Sequence, residues 1–205
     1  MCKYKYTQHL FHHRNPPVNI DTLTDKDENM IQTTAAIRLR PFDLSDIEAF
    51  TVAVNDSLDT LLPWMSWAHP DYQPDEAESW IRFTHLQRAL KEAEEFAIVD
   101  AQNRLLGGAG FRFAKKPGEF CALGYWVRSD AQCQGVATQA VKLLLEFGFA
   151  RPDVQTIELL AVENNFASRR VAEKSGGRFI DYRYGLIVLD SGPVNAAIYH
   201  FQRPS

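Results

Sequence analysis

Leu123-Gly124-Tyr125-Trp126-Val127-Arg128-Ser129-Asp130-Ala131-Gln132-Cys133-Gln134-Gly135-Val136-Ala137-Thr138-Gln139-Ala140 reads as an apolar strand, a loop of small residues and the opening of a helix. The helix extends over residues 135–149, with Ala137, Val141, Leu144, Leu145 and Gly148 on one stripe at helical spacing. The core of the loop is Gln132-x-x-Gly135-x-Ala137. Gly135 and Ala137 carry almost no side chain, so a ligand can come close to the main chain. The unpaired N–H groups of a helix start and the positive end of its dipole suit an anion. Neither the triphosphate form GxxxxGK[ST] nor the dinucleotide form GxGxxG occurs. The loop alone therefore fits either a diphosphate held without magnesium or a plain strand-to-helix turn.

Working outward, strands are expected over residues 37–40, 96–99, 105–113, 119–127, 156–162, 178–189 and 195–202. Helices are expected over 43–55, 75–94, 135–149 and 167–174, and the aromatic stretch 61–74 reads as a shaped loop. Acidic Asp75, Glu76 and Glu78 open the 75–94 helix, as its dipole favours, and Trp80, Phe83 and Leu90 are expected to face inward. Gly176-Gly177 stops the 167–174 helix, and residues 190–193 form a turn between the last two strands. The order β-α-α-β-β-β-α-β-α-β-β predicts an α/β fold built on one mixed sheet. Residues 36–205 form that domain. Residues 1–35 show no helical or strand period and read as an N-terminal arm. His9, His12 and His13 on the arm have no carboxylate or cysteine at ligand spacing, so no metal is expected.

The flanks of the loop carry a family likeness. The loop resembles the coenzyme A pyrophosphate loop, Q/R-x-x-G-x-G/A, of the GNAT superfamily of N-acetyltransferases. Gly124-Tyr125-Trp126 leading into it, and Ala137-Thr138-Gln139-Ala140 after it, are similar to the RimJ/RimL-type branch, which acetylates ribosomal-protein N-termini. So are Asn165-Phe166-Ala167-Ser168 followed by Glu173-Lys174-Ser175-Gly176, the opening Leu39-Arg40-Pro41-Phe42, and Leu62-Pro63-Trp64-x-x-Trp67. The likeness spans residues 36–203.

The resemblance implies the GNAT fold: a single mixed, partly antiparallel sheet, splayed at its middle, with helices on both faces. Acetyl-CoA would be the acetyl donor. Its arm would lie in the V between the 119–127 and 156–162 strands, pairing with main chain at Trp126 and Val127. Its diphosphate would rest on Gln132, Cys133, Gln134, Gly135, Val136, Ala137 and Thr138. Asn165 would bind the arm and Ser168 would protonate the departing thiolate. Trp64 and Trp67 belong to the loop that covers the acceptor in the family, and tight packing of that loop is the other reading of both. For the base, Glu158 is the first candidate. The two places where relatives often carry a glutamate are Ala122 and Leu160 here, so ordered water is an alternative.

The acceptor is an amine, which must be neutral to attack. An α-amine ionises near 8 and a lysine near 10.4, a difference of about 3 kcal/mol in deprotonation, so an α-amine needs only a modest base. A protein or peptide N-terminus is the first expectation. A small amine (a polyamine, amino acid or aminocyclitol) is the second, and an inactive coenzyme A-binding module the third. The 205 residues carry a net charge of −4, with 22 Lys and Arg against 26 Asp and Glu, which gives no basic stripe for nucleic acid. No apolar run approaches a membrane span. The three cysteines are odd in number and form no CxxC, so a reducing cytoplasm is expected, with the chain a monomer or homodimer.

Overall fold

The structure, a computed structural model, describes residues 32–33 and 37–204. The arm proper, with its three histidines, lies outside the described residues. In chain order the elements are β1 (Gln32–Thr33), β2 (Arg38–Pro41), a 3-10 turn at Leu44–Asp46, α1 (Ile47–Asn55), α2 (Leu58–Leu61), α3 (Pro74–Ala89), β3 (Ala93–Val99) and β4 (Leu105–Arg112). There follow β5 (Cys121–Val127), a 3-10 turn at Ser129–Ala131, α4 (Val136–Phe149), β6 (Thr156–Val162), α5 (Phe166–Lys174), β7 (Arg178–Leu189) and β8 (Gly192–Gln202). Among the described residues the strands form one sheet in the order β1-β2-β3-β4-β5-β6-β8-β7. Every pairing is antiparallel except β5 with β6. This is the expected single mixed sheet.

Side-chain alternation divides the core into two layers. On one face Leu123, Phe111 and Tyr199 close against Leu144 and Phe147 of α4 and Ala172 of α5. On the other, Trp126, Ala97 and Val99 meet Phe50 of α1 and Ile81 of α3. Covering on both faces explains why β3 is buried along its whole length.

The end of α3 differs most from expectation; α2 was not expected, and β8 starts at Gly192, inside the expected 190–193 turn. The run Leu86 to Glu95 is rich in helix formers, yet α3 stops at Ala89 and Leu90 is 56% exposed. Lys91 turns the chain with φ of 54°, and Arg88 meets Glu94 across the turn at 2.5 Å. Ala93 then pairs with Arg112 and Glu95 with Gly110. Completing a ladder inside a covered sheet outweighs propensities worth tenths of a kcal/mol per residue. Two glutamates are thereby carried into the sheet, Glu94 at 7% and Glu95 at 2% exposure.

The sheet opens where the likeness requires it to. β5 and β6 pair only through Cys121–Ile157, Ala122–Glu158 and Leu123–Leu159. Beyond that each strand stays with its own half: β5 remains on β4 up to Val127–Gly107, and β6 remains on β8 up to Val162–Ala196. Twist accumulating in two such halves parts them.

Candidate active site

The parted strands enclose a cleft of about 650 Å³, counting its open mouth. Gly124 and Tyr125 form one wall, Leu159 to Val162 the other, and Asn165 and Ser168 of α5 the end. Trp64, Met65, Ser66 and Trp67, which follow α2, form the roof. The sequence-expected residues Trp64, Trp67, Asn165 and Ser168 are thus brought together. No carboxylate or cationic side chain lines this cleft among the described residues.

Trp67 is also a packing residue. Its ring lies 5.8 Å from Trp126 and 6.4 Å from Phe50. Trp64 packs on the small cluster of Leu160, Val162 and Ile187 at the far wall. The segment bearing both is tied to the turn below it. Ser129 donates its N–H to Ser57 Oγ at 3.0 Å and its hydroxyl to Asp59 at 2.9 Å, and it also meets Thr60 at 2.8 Å.

Asn165 is the N-cap of α5, its Oδ1 accepting from Ser168 N–H at 3.0 Å. Capping satisfies an orphan donor and fixes Ser168 on the first turn; what Asn165 can still offer a ligand is its Nδ2. Tyr125 donates its hydroxyl to Ser168 Oγ at 3.2 Å. Burial drives the Tyr125 phenol up to about 12, against a smaller downward pull from Ser168. The phenol is therefore neutral and donating at ordinary pH, which leaves the Ser168 proton free to point elsewhere. Sequence reasoning passed over Tyr125 as one letter of Gly-Tyr-Trp. The period of two was the available signal: Trp126 faces α1, so Tyr125 faces α5.

Trp126 is 2% exposed, and since Arg128 N–H bonds Leu106 O two residues on, the alternation of the antiparallel ladder turns its main chain toward Gly108 of β4 as well; contrary to expectation, the β5 main chain that faces the V is that of Tyr125 and Val127. Gln132 uses its side chain internally, donating from Nε2 to Val127 O at 3.1 Å and bracing the loop against the strand end. Gln134 likewise donates to Asp130 O at 2.8 Å. Cys133 (φ 59°) and Gly135 (φ 80°) are left-handed, which curls the loop around the start of α4. Gly135 is the N-cap and provides no side-chain cap. The first helical bond runs from Gln139 N to Gly135 O at 3.0 Å, so Val136, Ala137 and Thr138 present N–H groups with no partner inside the helix. A Cβ on Gly135 would meet nothing nearer than Gln139 Nε2 at 3.6 Å. The ground in front of these donors is open, and a diphosphate fits the donor set.

Glu158 stands elsewhere. It lies in the closed part of the V, paired with Ala122, and its carboxylate contacts His200 Nε2 at 3.2 Å. It is not among the cleft-lining residues.

Comparison with known proteins agrees with this geometry. The family model described as Acetyltransferase (GNAT) domain matches residues 36–178. The Probable N-acetyltransferase YjcK of Bacillus subtilis (strain 168) is 27% identical over 144 residues, which cover 68% of this chain and 79% of that one. Two solved structures share the fold. One is the ribosomal L7/L12 alpha-N-protein acetyltransferase RimL in complex with coenzyme A, with TM-score 0.76 and 20% identity over 84% of this chain and 97% of that one. The other is the microcin C7 self immunity acetyltransferase MccE in complex with acetyl-CoA and AMP, with TM-score 0.76 and 16% identity over 82% and 93%.

Proposed function

Since the chain belongs to the acetyltransferase (GNAT) domain family and is an acyltransferase, we propose that it moves the acetyl group of acetyl-CoA onto the α-amine at the N-terminus of a protein or peptide. The donor, when bound, supplies an activated acetyl group as a thioester. The main-chain donors of Val136, Ala137 and Thr138 hold its diphosphate, with Cys133 to Gly135 shaping the approach. The free edge of β5 at Tyr125 and the N–H of Val127 orients the arm, and Asn165 Nδ2 steadies it. Ser168, held by Asn165 and receiving a hydrogen bond from Tyr125, gives its proton to the leaving sulfur.

The observation that favours an α-amine is the neutrality of the cleft. A polyamine or aminocyclitol carries several ammonium groups, and burying each without a carboxylate costs several kcal/mol. The walls here are Leu159, Leu160, Ala161, Val162 and Ile187, under two tryptophans, which suit the apolar side chains of a peptide with a single amine. The RimL structure is of a protein that acts on such an amine; the MccE structure, which holds AMP beside acetyl-CoA, is the reason to include small molecules in the test. The test is release of free coenzyme A with a panel of amines. Peptides with a free N-terminus should turn over and their N-blocked forms should not. Turnover on small polycations alone would overturn the acceptor assignment, and tight acetyl-CoA binding with no turnover on any amine would overturn catalysis.

A further inference from the structure

Glu95 is a buried carboxylic acid that nothing above uses. Its side chain lies on the same face of the sheet as Ala97 and Val99, the face toward α1 and α3. It crosses directly over Gly110 of β4, so closely that a methyl group there would overlap the carboxyl. Gly110 pairs with Gly124 of β5, and Gly124 is a wall of the cleft. The row Glu95-Gly110-Gly124 therefore runs from the carboxyl to the reaction space, with no side chain on its last two members. Adjacent strands are about 4.8 Å apart, so the carboxyl over Gly110 stands roughly one strand spacing from Gly124, the reach of one water.

Among the described residues, the cation that acts on this acid is Arg88, whose hydrogen bonds go elsewhere. Arg88 pairs through Nε with Glu94 at 2.5 Å and gives Nη2 to the main-chain oxygen of Glu95 at 3.3 Å. Arg112 and Glu158 stand one row further along the same face, opposite Ala122.

We propose that Glu95 is the proton acceptor for the incoming amine, reached across Gly110 and Gly124. The inference rests on amine acetylation being the reaction, whichever amine is taken. The amine enters as ammonium and leaves as amide, so it sheds two protons. The first passes from nitrogen to the Glu95 carboxylate, which frees the lone pair that forms the C–N bond, and is then released to solvent. The second passes from nitrogen through Ser168 to the sulfur as the C–S bond breaks. Burial, with the charge of Glu94, pushes the Glu95 carboxyl well above the usual range, against a weaker pull from Arg88. A carboxylate so placed takes up a proton more readily than an ordinary glutamate does.

Glu95→Gln should lower kcat at neutral pH by about 100-fold and leave the KM for acetyl-CoA unchanged. The deficit should shrink as pH rises past the pKa of the acceptor, because the amine then arrives neutral. A structural role would give a deficit independent of pH. Glu95→Gln should also melt at the same or a higher temperature, since it removes a buried ionisable group. A second reading needs no turnover: in carbon-13 NMR of the ligand-free protein labelled at glutamate carboxyls, the resonance lost in Glu95→Gln should titrate above all ordinary glutamates. The proposal is overturned by a variant within twofold of wild type, by a deficit constant with pH, by ordinary titration of Glu95, or by Glu158→Gln carrying the pH-dependent loss instead. Wild type acetylating only small amines would overturn the acceptor assignment while testing Glu95 equally well; wild type acetylating nothing would overturn both.

Discussion

Ser168 and Tyr125 are 43 residues apart in sequence and share one hydrogen bond, and the direction of that bond decides what each can do. A hydroxyl that accepts a hydrogen bond from a neutral phenol has its own proton free for the cleft. Ser168→Ala should therefore lower kcat about 100-fold with little change in acetyl-CoA affinity, measured by steady-state kinetics and calorimetry; an unchanged rate would remove Ser168 from the mechanism. Tyr125→Phe should cost about tenfold, because the serine keeps its proton but loses its aim. Ser168 was reached in sequence only through the family likeness of Asn165-x-x-Ser168, a local motif whose cap and capped residue are three apart. Tyr125 and Glu95 were not readable as site residues. Tyr125 meets Ser168 of α5 and Glu95 lies over Gly110 of the next strand, contacts distant in sequence, and Glu95 sits in a run, Ala89-Leu90-Lys91-Glu92-Ala93-Glu94-Glu95, whose local preference is helical.

At the scale of elements, the start of α4 and the parting of β5 from β6 belong together. The loop leaves β5 four residues beyond its last pairing with β6 at Leu123, so the helix start and the open strand edge face the same space. Period two gave the strands, the small residues gave the loop, and the 156–162 strand was found at its structural bounds; the parting of the strands came only from the family likeness. The end of α3 was not legible, since its stop depends on the ladder with β4. The anion site yields a direct check. Gly135→Asp places a carboxylate before the free N–H groups of Val136 to Thr138 and forces a side chain into a left-handed φ of 80°, a strain of about 1–2 kcal/mol. Acetyl-CoA affinity measured by calorimetry should fall at least 100-fold while the circular dichroism spectrum is retained. Undiminished affinity would show that the helix start holds no anion.

For the molecule as a whole, the same burial that tunes the site sets how the fold meets alkali. Tyr72 lies under α1 and α3 at 7% exposure, Tyr125 beside the cleft, and Tyr199 within the core against α4 and α5. Burial is the largest cause of a raised phenol in all three, with Tyr125 at about 12. A phenol whose folded pKa is raised stays protonated in the fold after it has ionised in the unfolded chain. Its stabilisation is complete below about pH 10 and declines as pH climbs through the folded value. At about 1.4 kcal/mol per pKa unit, Tyr125 alone would withdraw about 3 kcal/mol between pH 10 and pH 12. Urea midpoints should accordingly be flat from pH 8 to 9.5 and fall steeply above 10. In Tyr125→Phe the fall should be shallower, with a smaller increase in tyrosinate absorbance at the transition. A midpoint equally steep in the variant would mean that Tyr125 ionises in the fold as freely as in water, and the cleft would then be wetter than its apolar walls require.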